Sequence, residues 1–167
     1  MRGWIIVALA TALVGRPFRP LGAQESGIPV GTRAPVVTVN DLEGKPVDLG
    51  QYIGKRPVFL EFWATWCEQC EALLPRLRAA QAAYGSEVEF IGVNVTVNQT
   101  PERVRKYLKT HLPGFRPLYD DQGASIRAFQ VPATSYVVIL DRAGKVAYTG
   151  TGGSQEFDNV LRQVTSN

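Results

Sequence analysis

The sequence predicts an α/β fold: a mixed central β-sheet flanked by helices, with a β-hairpin at its N-terminal end. Beyond residue 57 the expected elements are a strand, a helix, a strand and two helices, followed by two strands and a last helix. Strands that alternate with helices favour parallel pairing, whereas two strands joined by a tight turn favour antiparallel pairing. With 167 residues, the chain fits one domain that can bury a sizeable core without disulfide cross-links.

The first 23 residues have the pattern of a secretory signal. Arg2 gives a positive start, residues 4–14 are apolar, and residues 21–23 (LGA) offer a cleavage site. The apolar run is short beside the roughly 20 residues that span a bilayer, which favours cleavage over a retained membrane anchor, the open alternative. We expect a signal at 1–23, a linker at 24–34 and a domain at 35–167. Such a domain is exported to the periplasm or to the outer face of the cytoplasmic membrane, where disulfides are chemically available.

The charge of the predicted domain indicates no nucleic-acid partner. The chain has 18 Lys and Arg against 15 Asp and Glu, but three of the basic residues, Arg2, Arg16 and Arg19, lie in the predicted signal. Without them the two signs balance, so the basic character of the whole chain does not predict a nucleic-acid-binding surface.

The first half of the domain predicts a hairpin, a buried strand and a helix. Segments 36–39 and 47–49 are β-type and flank a turn-rich stretch. Residues 58–64 (VFLEFWA) are rich in aromatic and β-branched side chains, as in a buried central strand. Leucines at helical spacing predict a helix over 67–84, which Pro75 should kink.

The second half predicts two further helices, a hairpin and a terminal helix. The expected elements are a strand at 88–95, a helix at 101–111 capped by Thr100, a short helix at 125–129, strands at 134–140 and 145–149, and a helix at 154–164 capped by Ser154. No strand is predicted between the two middle helices.

The strongest chemical signal is the Cys67-Glu68-Gln69-Cys70 motif at the junction between the 58–64 strand and the following helix. A helix N-terminus has free backbone N–H groups and a positive dipole end, which favour a negative sulfur at Cys67. The thiolate is the form that attacks disulfides, and such sites lower the pKa of a cysteine below about 8.5. Since Cys70 lies one turn further on, the motif predicts a redox dithiol in which Cys67 attacks and Cys70 resolves.

Two other uses of the cysteine pair are open. A structural zinc site needs four ligands, and the chain offers these two cysteines and one histidine, His111, which is better explained as a surface residue near a helix end. A purely structural disulfide would close so short a loop that it would constrain the unfolded chain little. We therefore expect a redox pair, with neither a metal nor a cofactor.

Several motifs together resemble one known family. They are Ala34-Pro35, the turn at 41–45 (DLEGK), the Trp-Cys-x-x-Cys junction, the helix-interrupting Pro75, and residues 131–134 (VPAT) before a strand. Over residues 33–165 the chain resembles the thioredoxin superfamily, and within it the exported TlpA- and ResA-like group that includes cytochrome c maturation thioredoxins. The resemblance implies a thioredoxin-like fold, a redox dithiol and reducing work in an oxidising compartment.

The resemblance also implies roles for residues around the dithiol. Pro132 matches the family's cis-proline facing the cysteines, which would leave the Val131 backbone free to pair with an extended substrate. The alternative is an ordinary trans proline that opens an edge strand. Trp66, adjacent to Cys67, should shield the sulfur and offer the substrate an apolar contact.

Glu61 is an acid inside an apolar strand, where a carboxylate is costly unless it is neutralised or partnered. It matches the position of the buried acid beneath the dithiol of thioredoxins, where Asp is usual. We expect a raised pKa at Glu61 and a role in relaying the proton of Cys70. In the alternative, the head of Glu61 reaches solvent at the end of the sheet.

The chain departs from the family at two positions. Gln69 stands where Pro is usual before the second cysteine, and Leu73 stands where the exported group often has Glu. Glu68 and Glu71 place negative charge near the helix start, which favours the helix dipole but opposes a thiolate. The family resemblance therefore does not fix the reduction potential.

The function expected is reduction of disulfides in exported proteins, with apocytochrome c as an example. The partner that supplies electrons would be a membrane dithiol reductant of the DsbD or CcdA type, and the chain itself a monomer. A peroxiredoxin is a weaker alternative, because Ala64 occupies the position where that family has Thr. A binding module with an inactive dithiol is the other alternative.

Overall fold

The computed structural model describes residues 26–166, and within this range one sheet of seven strands is flanked by four α-helices. The strands are β1 (Thr38–Asn40), β2 (Pro46–Asp48), β3 (Val58–Trp63), β4 (Glu89–Val95), β5 (Arg116–Asp120), β6 (Tyr136–Leu140) and β7 (Val146–Thr151). The helices are α1 (Glu68–Tyr84), α2 (Pro101–His111), α3 (Ala124–Ala128) and α4 (Asp158–Thr165). The predicted α/β class and N-terminal hairpin are confirmed.

The sheet is mixed, with strand order β2-β1-β5-β4-β3-β6-β7. Strands β3, β4 and β5 are parallel, and every other pairing is antiparallel among the described strands. The β3–α1–β4 and β4–α2–β5 units advance in the same direction along the sheet. Right-handed crossovers therefore place α1 and α2 on the same face.

The core packs against both faces of the sheet. On one face, Phe59 of β3 packs with α1 through Leu73 and Leu77 and with α4 through Leu161, all buried. On the other face, β3 packs through Leu60 and Phe62 with β4, β6 and the end of α3. β3 is buried along its whole length, which explains its continuous run of apolar residues around one acid.

β5 is the strand that the sequence did not predict. It contains Pro117, and a proline in a central strand removes a ladder hydrogen bond. Here β1 pairs with β5 only at Tyr119, so the proline lies beyond the reach of the neighbouring strand on that side. A central strand of the sheet can therefore begin with Arg-Pro.

The last helix begins later than predicted, at Asp158 instead of Ser154. Gln155 is buried, and its side-chain amide donates hydrogen bonds to the backbone oxygens of Ser135 and Gly152 at 2.9 and 2.7 Å. These contacts hold the chain after β7 in a non-helical conformation, and the N-cap position falls on Phe157.

The segment before the sheet is packed against it. The Ile28 amide donates to the hydroxyl of Tyr136 at 3.1 Å, the Gly31 amide donates to the Val146 oxygen at 2.7 Å, and Ile28 is buried. Residues from 27 onwards of the stretch assigned to a linker are therefore tied to β6 and β7. The expected signal at 1–23 lies outside the described residues. Over 26–166, none of the helices combines the length and the apolar character needed to cross a bilayer.

Candidate active site

The cysteine pair lies where β3 leads into α1. The chain leaves β3 at Trp63 and turns into the helix at Cys67, which is its N-cap residue with an extended backbone (φ −88°, ψ 102°). The sulfur of Cys67 accepts a hydrogen bond from the Cys70 amide at 3.0 Å. A cap normally uses a side-chain oxygen, so here a sulfur takes the place that Ser, Thr or Asp occupies in other helices.

The two cysteines form a disulfide, with their Cα atoms 5.2 Å apart. Both are almost fully buried, at 4% and 3% exposure. Because the sulfur of Cys67 lies at the positive end of the α1 dipole, the same geometry favours a thiolate there once the bond is reduced. The arrangement can thus make and break a disulfide at one fixed place.

Glu61 is buried within β3, with 1% of its surface exposed. Side chains alternate along a strand, so Glu61 lies on the same face as Phe59, the face that α1 covers. Its neighbours on the adjacent strands are Val137 and Gly92, and the Phe115 ring fills the space above Gly92, only 2.3 Å from where a Cβ would stand. Burial raises the pKa of Glu61 to about 8. A carboxyl head in solvent, the alternative from the sequence, is excluded.

The Trp66 side chain is half-exposed beside the cysteine pair. Its surface is 48% accessible, and its indole N–H donates to the Val97 oxygen at 2.8 Å. It borders a groove whose other wall includes Arg103, Lys106 and Tyr107 of α2. The indole is therefore held by its polar edge while its apolar face stays open to a partner.

The expected cis bond before Pro132 is wrong, because the Val131–Pro132 peptide bond is trans. The chain turns here through positive φ angles at Gln130 (52°) and Ser135 (59°), which bracket the proline and produce the change of direction. The proline itself is exposed. The Val131 amide donates to the Ile126 oxygen at 2.9 Å, so a substrate strand could pair here only through the carbonyl of Val131.

Two contributors to the site were not predicted from the sequence. The buried Gln99 accepts the Thr65 amide on its side-chain oxygen at 3.1 Å and so steadies the turn before the cysteines. Tyr107 packs against Trp63 with ring centres 5.4 Å apart and ring planes tilted by 39°, and burial together with the charges of Glu71 and Glu61 raises its pKa to about 12. Both residues follow β4 in the chain. Because β3 and β4 are parallel, their carboxyl ends lie at the same end of the sheet, and this placement was the signal that could have pointed to the two residues.

Metal ligands are not gathered at this site. Within residues 26–166, the structure contains no group of three or more His, Cys, Asp or Glu side chains placed to hold a metal ion. The candidate site thus consists of two sulfurs, one buried acid and the surfaces around them.

A protein-family model described as Redoxin matches residues 29–164, which include every strand and helix of the described fold except the last residue of α4. The chain belongs to the Redoxin family. It is 31% identical to the thiol-disulfide oxidoreductase ResA of Geobacillus thermodenitrificans over 98% of this chain and 94% of that protein. It is 29% identical to the thioredoxin-like protein YneN of Bacillus subtilis over 96% of this chain and 98% of that protein.

The fold of this Redoxin-family chain also matches solved structures. The thioredoxin domain of a Bacteroides vulgatus thiol-disulfide oxidoreductase superposes with a TM-score of 0.70 at 20% identity, covering 82% of this chain and 99% of that domain. The thioredoxin-like fold and the resemblance to ResA-like proteins are thereby confirmed. With its Cys67–Cys70 disulfide, this member of the family is a thiol–disulfide oxidoreductase.

Proposed function

We propose that this chain reduces disulfide bonds of exported proteins, with Cys67 as the nucleophile and Cys70 as the resolving cysteine. One observation carries the proposal: the sulfur of Cys67 is the N-cap of α1 and accepts the Cys70 amide at 3.0 Å. In the reduced protein the same amide and the helix dipole stabilise a Cys67 thiolate. Disulfide exchange needs an ionised sulfur as its attacking group.

The reaction consists of two exchange steps. The Cys67 thiolate attacks one sulfur of the substrate disulfide, a mixed disulfide forms, and the other substrate sulfur leaves as a thiolate that takes up a proton. Cys70 then loses its proton and attacks the sulfur of Cys67, which closes the Cys67–Cys70 bond and releases the second substrate thiol. The substrate gains two electrons and two protons, and the protein ends in the oxidised form seen here.

Glu61 is the group proposed to take the proton of Cys70. It lies on the face of β3 that α1 covers, and Cys70 is in the first turn of that helix. A pKa of about 8 keeps a fraction of Glu61 ionised at neutral pH, so the carboxylate can accept a proton and later return it. General acid–base catalysis is most effective when the pKa lies near the working pH.

The proposed substrate surface combines Trp66 with the loop of Val131 and Pro132. Trp66 offers an exposed indole face, and Pro132 is also exposed. An extended protein segment could lay apolar side chains on the indole and pair with the Val131 carbonyl. Protein disulfides fit such a surface better than small disulfides do.

The proposed compartment is outside the cytoplasm, because residues 1–23 have the pattern of a signal. An oxidising compartment would leave the dithiol oxidised, so a reducing cycle needs electrons from a membrane dithiol reductant of the DsbD or CcdA type. Apocytochrome c is the proposed example of an exported substrate, and the protein is proposed to act as a monomer.

A redox titration of the Cys67–Cys70 pair against glutathione tests the direction of the reaction. A potential near that of thioredoxin, about −270 mV, is expected for a reductant. A potential near that of DsbA, about −120 mV, would contradict the proposal and indicate an oxidant. Reduction of insulin by the protein with dithiothreitol as donor tests whether protein disulfides are substrates.

A further inference from the structure

Gln69, between the two cysteines, reaches out of the active-site helix to a distant loop. Its side-chain oxygen accepts a hydrogen bond from the backbone amide of Gly153 at 2.9 Å, across 84 positions in sequence. Gly153 lies in the loop that connects β7 to α4. The residue that separates the two sulfurs is thus bonded to a second segment of the chain.

The loop also lies unusually close to the first turn of α1. A Cβ at Gly153 would stand 2.5 Å from the Cβ of Ala72 and 3.0 Å from the backbone oxygen of Gln69. Contacts this short exclude a side chain, so glycine at this position lets the loop backbone touch the helix. The hydrogen bond of Gln69 therefore closes an interface that is already packed.

The same loop is bonded to the segment that carries Pro132. The Gly152 amide donates to the Ser135 oxygen at 3.0 Å, and the side-chain amide of Gln155 donates to the same oxygen at 2.9 Å. Ser135 is fully buried and ends the turn that begins at Gln130. Two hydrogen bonds, joined through the Gly152–Gly153 backbone, thus connect Gln69 with Ser135 at the end of the loop that carries Pro132.

We propose that Gln69 is a positioning residue that ties the 152–155 loop, and through it the loop of Pro132, to the dithiol and thereby strengthens the binding of protein substrates. The inference rests on the proposed function, reduction of protein disulfides. A proline at position 69, usual in the resembling family, has no side-chain acceptor and could not make this bond. The tether is thus a property of this chain's own departure from the motif.

The proposal distinguishes large substrates from small ones. A protein disulfide arrives with flanking residues that must rest on the loops beside the sulfurs, whereas glutathione disulfide needs little more than access to Cys67. Loosening the loops therefore lowers the rate with a protein disulfide more than the rate with glutathione disulfide. The ratio of the rate constant for the protein disulfide to that for glutathione disulfide therefore reports the effect of the Gln69 hydrogen bond, because a general change in sulfur reactivity alters both rate constants alike.

The test compares Gln69→Met, which keeps the side-chain length and removes the oxygen, with Gln69→Glu, which keeps an acceptor oxygen. The second-order rate constants for oxidation of the reduced protein by insulin and by glutathione disulfide are measured for each variant. In Gln69→Met the insulin-to-glutathione ratio should fall about fivefold, the factor that one ordinary hydrogen bond is worth. Gln69→Glu should keep the wild-type ratio even if its added charge slows both reactions. Gln163→Met, the same change on the exposed side of α4, is the control.

Amide hydrogen exchange of Gly153 in the oxidised protein gives an independent readout. Its exchange should accelerate in Gln69→Met and stay slow in Gln69→Glu. A Gly153 amide that exchanges equally in both variants, or an unchanged rate ratio in Gln69→Met, would overturn the inference. If insulin does not oxidise the reduced wild-type protein at all, the proposed function is wrong, and so is the proposed effect of Gln69 on substrate binding. The exchange rate of the Gly153 amide would still show whether the hydrogen bond to Gln69 holds the loop.

Discussion

Two strand-to-helix junctions of this molecule carry a buried acid, and they use it in opposite ways. At the β5–α3 junction, Asp120 is 1% exposed and accepts hydrogen bonds from the amides of Ala124, Ser125 and Ile126 and from the Ser125 hydroxyl, at 2.6 to 3.1 Å. At the β3–α1 junction, Glu61 is also 1% exposed, but it is set back in the strand and burial raises its pKa to about 8.

Two acids that are equally buried thus have opposite surroundings, one hydrogen-bonded to a helix start and the other held in an apolar interior. The carboxylate oxygens of Asp120 accept hydrogen bonds from the N–H groups in the first turn of α3, which have no partner within the helix. At α1 the sulfur of Cys67 takes that place, and Glu61 is left to the apolar interior. The start of α3 is therefore capped by a carboxylate, whereas the start of α1 is capped by a sulfur that can also react.

The largest effect is expected for Cys67→Ser. Replacing the attacking sulfur by a hydroxyl should lower the rate of insulin reduction by about 10³-fold or more, because the remaining cysteine, Cys70, does not occupy the N-cap position that stabilises a thiolate. Cys70→Ser should instead accumulate the mixed disulfide with the substrate, detected by mass spectrometry of the intact protein. Equal accumulation in both variants would show that the two cysteines do not have separate roles.

Asp120→Ala should act on stability alone. Several hydrogen bonds to a charged group are lost at once, so the free energy of unfolding should fall by about 3 to 4 kcal/mol in chemical denaturation. The rate of insulin reduction per folded molecule should stay at the wild-type value. A loss of activity without a loss of stability would mean that this junction also takes part in the chemistry.

Glu61→Gln should act on the resolving step. With no carboxylate to accept the proton of Cys70, release of substrate from the mixed disulfide should slow by about 10²-fold, the lower range for general base catalysis. In the wild type this rate should increase as the pH rises through about 8, where Glu61 ionises, whereas in the variant it should follow only the ionisation of the Cys70 thiol itself. Rapid-quench mass spectrometry of the mixed disulfide measures both.

A further effect is expected on the pH dependence of stability. Glu61 has its pKa raised from 4.5 to about 8 on folding, so between these values the folded state holds a proton that the unfolded state has lost. The contribution of Glu61 is thus full below about pH 4.5 and decreases as the pH rises towards 8, by at most about 1.4 kcal/mol per pH unit. Denaturation of the wild type and of Glu61→Gln should diverge over this range and run parallel above it. Parallel curves throughout would place the pKa of Glu61 near its ordinary value.

Most of the fold was predictable because local and global signals agree. The aromatic and β-branched run of β3 and the Thr100-Pro101 start of α2 gave elements close to those observed. β5 was missed because Pro117 is unfavourable in a strand unless the neighbouring strand stops short, and that is a tertiary fact. The start of α4 was misplaced because buried hydrogen bonds of Gln155 override the helical pattern.

The site was predictable where chemistry follows from sequence spacing. The disulfide between Cys67 and Cys70 and the burial of Glu61 were predictable because these residue types are unusual in those places, and their roles in the reaction stay predictions. The conformation at Pro132 was not predictable. The bend is made by Gln130 and Ser135, and their residue types do not indicate a positive φ. The partners of Gln69 and Gln99 are far away in sequence, so only the folded chain reveals them.

The pH dependence of alkylation at each cysteine of the reduced protein measures whether Cys67 is ionised by its place at the start of α1. If the start of α1 stabilises a thiolate, iodoacetamide should label Cys67 well before Cys70, with an apparent pKa below the value of about 8.5 for a free cysteine. Site-resolved mass spectrometry of a pH series gives this number. Labelling of Cys67 that is no faster than that of a free cysteine, or that follows Cys70, would mean that the start of α1 does not stabilise a thiolate.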